Sequence, residues 1–186
     1  MAEVWDALWD VAVDQYGYVT SADAQTLGLP DSTLGRMAAR GRLQRVSYGV
    51  YRFPQWPVGA NDHLMRAVLW TRDPQAVLSH ETALDVWNLC DVNPSNIHVA
   101  VPKKRPLRRQ VVPAAYVVHR EDLGEKDRGW WEQIPAVTPD CAIRQGIADG
   151  LRPSLIRQAI EQALLRSLID DQTAATRRAQ LEARFQ

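Results

Sequence analysis

Five arginines, Arg36, Arg40, Arg42, Arg45 and Arg52, fall between Ser32 and Val58, and no acidic residue interrupts them. A guanidinium holds a fixed charge and a planar fork of donors, so it can grip a phosphate or the O6/N7 edge of a guanine. Ser32 and Thr33 stand just ahead of Arg36, where hydroxyls and the free amides of a helix start can hold a phosphate. The chemistry expected of this stretch is nucleic-acid recognition. Arg36 is the expected base reader. Ser32 and Thr33 are expected on phosphate, and Arg40, Arg42, Arg45, Arg52 and Tyr48 on the DNA backbone or in a wing.

The elements that would position these residues follow from periodicity. Val4, Leu8, Val11 and Ala12 make one stripe of an amphipathic helix over 3–15 that Gly17 ends. Tyr18-Val19-Thr20 is a short extended piece, Ser21 an expected N-cap, and Gly28 the stop of a second helix. Asp31 is expected to cap a third helix that runs to about Arg40, with Gly41 behind it. Ala24, Gly28 and Leu34 then occupy the small, turn and apolar positions of a helix-turn-helix, which leaves Ser32, Thr33, Arg36 and Arg40 facing out. Leu43 to Phe53 carries β-branched and aromatic residues around Tyr48-Gly49, a hairpin signature. Helix, helix, turn, helix and hairpin make a winged helix over 1–57, with the boundary at Pro54 and Pro57.

Residues 58–186 are expected to form a mixed α/β domain with a helical tail, giving an α+β chain. Helices are expected over 62–71, 80–89 and 139–149, strands over 76–78, 97–101 and 116–119, and a short extended piece over 136–138. Ser79 and Ser154 are expected N-caps, the latter opening a long striped helix through Leu168. A second basic block, Lys103, Lys104, Arg105, Arg108, Arg109 and Arg120, has three readings: contacts to the DNA backbone, a grip on an acidic partner, or a solvated loop.

The bulk numbers agree with a folded, water-soluble chain. Its 186 residues are 46% hydrophobic and 24% charged, with seven tryptophans as large surface for burial. Net charge is zero, but six acids and no base lie between Glu3 and Asp31, ahead of the arginine block, so a local positive face remains available. No apolar run of membrane length occurs, and the acidic start lacks the form of a secretory signal, so a cytoplasmic protein is expected. Cys90 and Cys141 are far apart and are expected as reduced, buried thiols.

Gly17-Tyr18-Val19-Thr20, the helix-turn-helix and Leu43 to Arg52 together resemble the N-terminal domain of the AbiEi-family antitoxins. Leu78-Ser79-His80-Glu81-Thr82-Ala83-Leu84 and Ile134-Pro135-Ala136-Val137-Thr138-Pro139-Asp140 resemble two junctions of the same family. Many relatives have Arg-Thr after that second turn, where this chain has Cys141-Ala142. The resemblance implies a winged helix that binds inverted repeats in its own promoter as a repressor; a homodimer on DNA is a separate expectation, and the sequence leaves the oligomeric state open. It also implies a second domain that counters a nucleotidyltransferase-type toxin. The alternatives are a stand-alone regulator whose second domain senses a ligand or dimerises, and an interaction module with a vestigial winged helix.

Enzyme chemistry has little to work with. His80-Glu81 lacks the second histidine of a zinc-protease helix, since position 84 is Leu. No glycine-rich phosphate loop or nucleophile elbow occurs. His63, His98 and His119 stand isolated along the chain, with no evident carboxylate or thiol partner. No catalytic residue, metal or cofactor is therefore expected.

Overall fold

The computed structural model describes residues 2–104 and 111–185. The chain divides into two compact units, Met1–Pro74 and Gln75–Gln186.

In the first unit, α1 (Ala2–Val13) leads into β1 (Tyr18–Thr20), α2 (Ser21–Thr26) and α3 (Ser32–Ala39). The wing follows as β2 (Gln44–Ser47) and β3 (Val50–Arg52), and α4 (Asp62–Trp70) closes the unit. The sheet has the order β1-β3-β2, antiparallel throughout, with Val19 opposite Tyr51 and Arg45 opposite Tyr51 on the other side. This is the expected winged-helix sequence of elements. The expected boundary after Pro57 differs from the observed division, because α4 belongs to the first unit. Its N-terminal Asp62 accepts a hydrogen bond from the Tyr18 hydroxyl on β1.

Phe53 sits at the centre of this unit's core, fully buried, with Trp5 and Trp9 edge-on at ring distances of 4.8 and 5.0 Å. Burying such a ring contributes about 1.5–3 kcal/mol. Leu8, Ala12, Val19, Ala24, Leu34 and Leu43 complete the cluster, so α1, α2, α3 and the sheet share one core. Gly17 has φ +80°, and a Cβ there would lie 2.3 Å from Trp56 Cγ. Only glycine meets both conditions, which is why α1 can turn into β1 at that point.

In the first unit the caps differ from expectation in two places. Thr20, not Ser21, caps α2: its hydroxyl accepts from the Asp23 amide at 3.2 Å, while the Asp23 carboxylate accepts from the Thr20 amide at 2.7 Å. This reciprocal box uses the last residue of β1, so strand and helix are joined without a loop. Asp31 precedes α3 but makes no side-chain cap: its backbone is already helical (φ −52°, ψ −31°), and its carboxylate accepts from Gln25 Nε2.

The second unit contains β4 (Val77–Leu78), α5 (His80–Val86), β5 (Ile97–Val101) and β6 (Tyr116–Arg120). A 3-10 turn (Glu125–Asp127) precedes β7 (Arg128–Trp131) and β8 (Ile134–Val137), and α6 (Pro139–Ala148), α7 (Pro153–Leu165) and α8 (Asp171–Phe185) follow. The mixed sheet has the order β6-β5-β4-β8-β7. Leu84, Ile143, Ile156 and Ile160 are fully buried where α5, α6 and α7 meet over it. Cys90 and Cys141 are free and buried, and burial pushes the Cys141 thiol up to about 12.

The extended piece expected over 136–138 falls at the end of β8, but β7 and the hairpin it makes with β8 were not expected. Its turn, Glu132-Gln133, has φ +46° and +64°, a conformation whose usual signature is Asn-Gly or Asp-Gly. Trp130 on β7 is 69% exposed, so one of the seven tryptophans does not serve the core. α6 starts at Pro139 behind a Thr138 cap, and α7 starts at Pro153, one residue ahead of the expected Ser154 cap. α8 is held through Ala174 and Leu181 in the core and by Arg177, which pairs with Asp140 through two 2.7 Å bonds. The thin apolar stripe of the tail is thus supplemented by a bidentate ion pair.

Candidate nucleic-acid interface and a histidine cluster

Leu34 is buried, which turns the opposite side of α3 outward, and Ser32 and Arg36 are exposed there with Thr33 half-buried beside them. Thr33, Arg36, Arg40 and Arg42 line a groove of about 320 Å³ whose apolar part is Val4, Leu29, Pro30 and Met37. Long arginine stems can rest on such a floor and keep their charged heads in water. Three guanidinium groups therefore converge on the helix expected to read DNA.

At the wing tip Tyr48 is 66% exposed, and two cations flank its ring: Arg45 at 5.7 Å and Arg72 at 4.7 Å from the centroid. Arg72 follows α4 with φ +53°, and sequence reasoning missed it. Nothing local marks it. The signal is the packing of its stem against Gly49, 3.3 Å from where a Cβ would stand.

Arg52 requires a correction. It was expected on the DNA side of the wing, yet it is only 8% exposed. Its NH2 donates to the Trp56 carbonyl at 2.9 Å and lies 3.6 Å from the Asp62 carboxylate, and its guanidinium stacks at 5.8 Å on Tyr18. The cause is topology. β3 is the middle strand, and Val50, Tyr51 and Arg52 are all buried on it. The Tyr18 hydroxyl is raised well above its ordinary range, first by burial and then by its bond to Asp62.

Lys103 and Lys104 belong to the second unit and are exposed; the Lys103 amide donates to Asp122 Oδ1 at 3.0 Å. Arg105, like Arg108 and Arg109, lies outside the described residues.

The second unit also gathers the histidines that looked isolated along the chain, which corrects that reading for His98 and His119. In the parallel pair of β5 and β6, Ala100 faces His119, so His98 and His119 share a face as diagonal neighbours. Their rings are 5.1 Å apart, with His119 Nε2 3.1 Å from His98 Nδ1. β4 pairs with β5, and the Ser79 amide donates to the His98 carbonyl, which delivers His80 to the same place. The His80 and His119 rings stack at 3.4 Å and 13°. Strand pairing, not sequence spacing, makes this cluster.

His80 is buried and has φ +51°, a strained backbone for a non-glycine residue. Its backbone amide donates to Gln145 Oε1 at 2.9 Å, and Gln145 Nε2 donates to Glu121 Oε2 at 2.6 Å. Its Nδ1 meets the buried Ser79 hydroxyl at 2.9 Å, and its Nε2 lies 3.8 Å from Asp149. His80, His119 and Asp149 each offer a ligand atom, all within 4.8 Å of one another, so these three could hold a metal ion. They border a cavity of about 430 Å³ together with Lys103, Arg120, Glu121, Arg144 and Gln145. Burial, then the neighbouring His119 and His98, holds His80 down at about 3. His98 and His119 are also lowered, chiefly by burial.

Comparison with known proteins bears on the first unit. Residues 6–54 match a family model described as transcriptional regulator, AbiEi antitoxin. The N-terminal region matches the AbiEi antitoxin family. The matched segment takes in most of α1, the helix-turn-helix and the wing, and it supports a regulatory role rather than a catalytic one. No curated protein matches the chain. The solved RV2827C protein from Mycobacterium tuberculosis is similar at 16% identity, over 93% of this chain and 79% of that one, with a TM-score of 0.42. Among the described residues, no helix is long and apolar enough to cross a membrane.

Two outcomes follow. Arg52→Ala leaves Asp62 without its cation and should lower unfolding free energy by about 3 kcal/mol. Arg36→Ala should change it by less than about 0.5 kcal/mol. Urea denaturation of the two variants checks this, and equal stabilities would refute the structural role of Arg52.

The pH dependence has a definite sign. His80 is neutral in the fold at pH values where it is protonated in the unfolded chain. Its contribution is fully present above about pH 6.5 and is lost as pH falls towards about 3. His98 and His119 act in the same direction, while the carboxylates of Asp149 and Glu121 raise His119 and so oppose it there. With a chelator present, stability should fall by about 1–2 kcal/mol between pH 7 and pH 5. His80→Asn should flatten that slope, and an unchanged slope would contradict the assignment.

Proposed function

We propose that the chain is an antitoxin of a bacterial toxin–antitoxin system that also binds its own promoter as a repressor. It acts in the cytoplasm, as a homodimer on inverted repeats, against a nucleotidyltransferase-type toxin. The single observation that carries the proposal is the AbiEi match over the whole helix-turn-helix and wing. The geometry supports it. Ser32, Arg36, Arg40 and Arg42 are exposed on or just after α3, and Arg45, Tyr48 and Arg72 cluster at the wing tip.

In this reading α3 enters the major groove and Arg36 reads a base edge. Ser32 and Thr33 take a phosphate, and Arg40, Arg42, Arg45 and Arg72 neutralise the backbone. Tyr48 holds Arg45 and Arg72 at the wing tip through its ring. Arg52 supports the wing from inside. Lys103, Lys104 and Arg105 belong to the second unit, where they serve either DNA or the acidic surface of a partner. A second reading, a regulator whose second unit senses a small ligand, is favoured by one feature, the histidine-lined cavity of about 430 Å³.

Mobility shift on the DNA upstream of the chain's own gene tests DNA recognition. Arg36→Ala should cost about 1–3 kcal/mol of affinity and relax the preference at one base pair. Unchanged affinity would remove Arg36 from the interface. Co-expression tests the antitoxin role: the chain should restore growth to cells that express a neighbouring nucleotidyltransferase-like gene. Failure to restore growth, with DNA binding intact, favours the ligand-sensing regulator.

A further inference from the structure

We infer that His80, His119 and Asp149 form a site for one divalent transition-metal ion of the zinc class, with His98 as the residue that orients His119. Three observations carry this. The first is convergence. The ligand atoms come from three separate elements, the start of α5, β6 and the end of α6, and lie within 4.8 Å of one another.

The second observation is orientation. Metal-binding imidazoles have their other nitrogen held by a polar partner, which fixes the ring and its tautomer. His80 Nδ1 is held by Ser79 Oγ at 2.9 Å, and His119 Nε2 by His98 Nδ1 at 3.1 Å. One nitrogen of each ring is left for a ligand bond.

The third is the gap between His80 and Asp149. Their facing atoms are 3.8 Å apart, too far for a hydrogen bond. A cation between an imidazole lone pair and a carboxylate oxygen accounts for a spacing of this size. The Asp149 side chain is 53% exposed, so it can swing the remaining distance without disturbing the core.

Two neutral imidazoles and one carboxylate suit zinc, cobalt or nickel better than calcium or magnesium, which prefer oxygen ligands. With three protein ligands, a fourth position opens to the cavity, where Lys103 and Arg120 could receive an anionic group. The ion would join α5, α6 and β6, the elements that Gln145 already links through His80 and Glu121. The site is independent of the DNA-binding and antitoxin readings.

The test uses the full chain, stripped with a chelator, and zinc chloride as the probe. Calorimetry should give one ion per chain, and zinc should raise the thermal midpoint by stabilising the folded state. Asp149→Asn replaces an exposed side chain, so it leaves the fold intact; it should weaken binding by about tenfold or more. His119→Gln should do the same, and His98→Ala should weaken binding by about 10–100-fold. His63→Ala, exposed on the first unit, should leave binding unchanged. Cobalt(II) in place of zinc should give a visible absorption band that Asp149→Asn alters. No stoichiometric zinc binding, or binding that Asp149→Asn and His119→Gln both leave untouched, would overturn the assignment.

Discussion

A guanidinium buried in the sheet of the first unit has to be neutralised, and the residues that do so define much of that unit. Arg52 lies on the middle strand, and Tyr18, Trp56 and Asp62 enclose its guanidinium away from solvent. An isolated charge there would cost several kcal/mol. Asp62 answers it, Tyr18 binds the same carboxylate, and the Trp56 carbonyl takes a further donor. These contacts tie β1, the segment after the wing and α4 to a single strand. The unit therefore extends past the proline pair to Pro74. They also hold β3 in place, and β3 is the platform on which the exposed wing tip stands.

The same logic separates two kinds of arginine that look alike in sequence. Arg36, Arg40, Arg42 and Arg45 keep their heads in water, where they can exchange solvent for phosphate. Arg52 has already exchanged solvent for Asp62. A neutral chain can present a positive surface because six acids lie between Glu3 and Asp31 and none between Ser32 and Val58. Arg72 restores a cation to the wing tip from a position beyond α4.

In the second unit the organising element is a mixed sheet whose strand pairing determines which side chains meet. His98 and His119 meet as diagonal neighbours on one face because β5 and β6 run parallel in that register. His80 joins them because β4 lies against the other edge of β5 and ends one residue before α5 begins. Gln145 then bridges the His80 amide and Glu121, so the cluster is fixed from α6 as well as from the sheet. The strained backbone at His80 is what directs a buried ring into a polar cavity rather than into the apolar core.

What the sequence determined by itself was local. Apolar periodicity, glycine stops and the Tyr48-Gly49 turn specified the helix-turn-helix and wing, because those elements form from contacts close along the chain. The acid-free run from Ser32 to Val58 marked α3 and the arginines on and after it for the same reason. The β7–β8 hairpin was not legible, because Glu132-Gln133 adopts a turn its residue types do not advertise. The fate of Arg52, the part played by Arg72 and the meeting of three histidines were decided only by tertiary structure. Each depends on which strand lies in the middle, which edge pairs with which, and where a distant carboxylate is delivered. Those are long-range pairings, and no short window of sequence contains both partners.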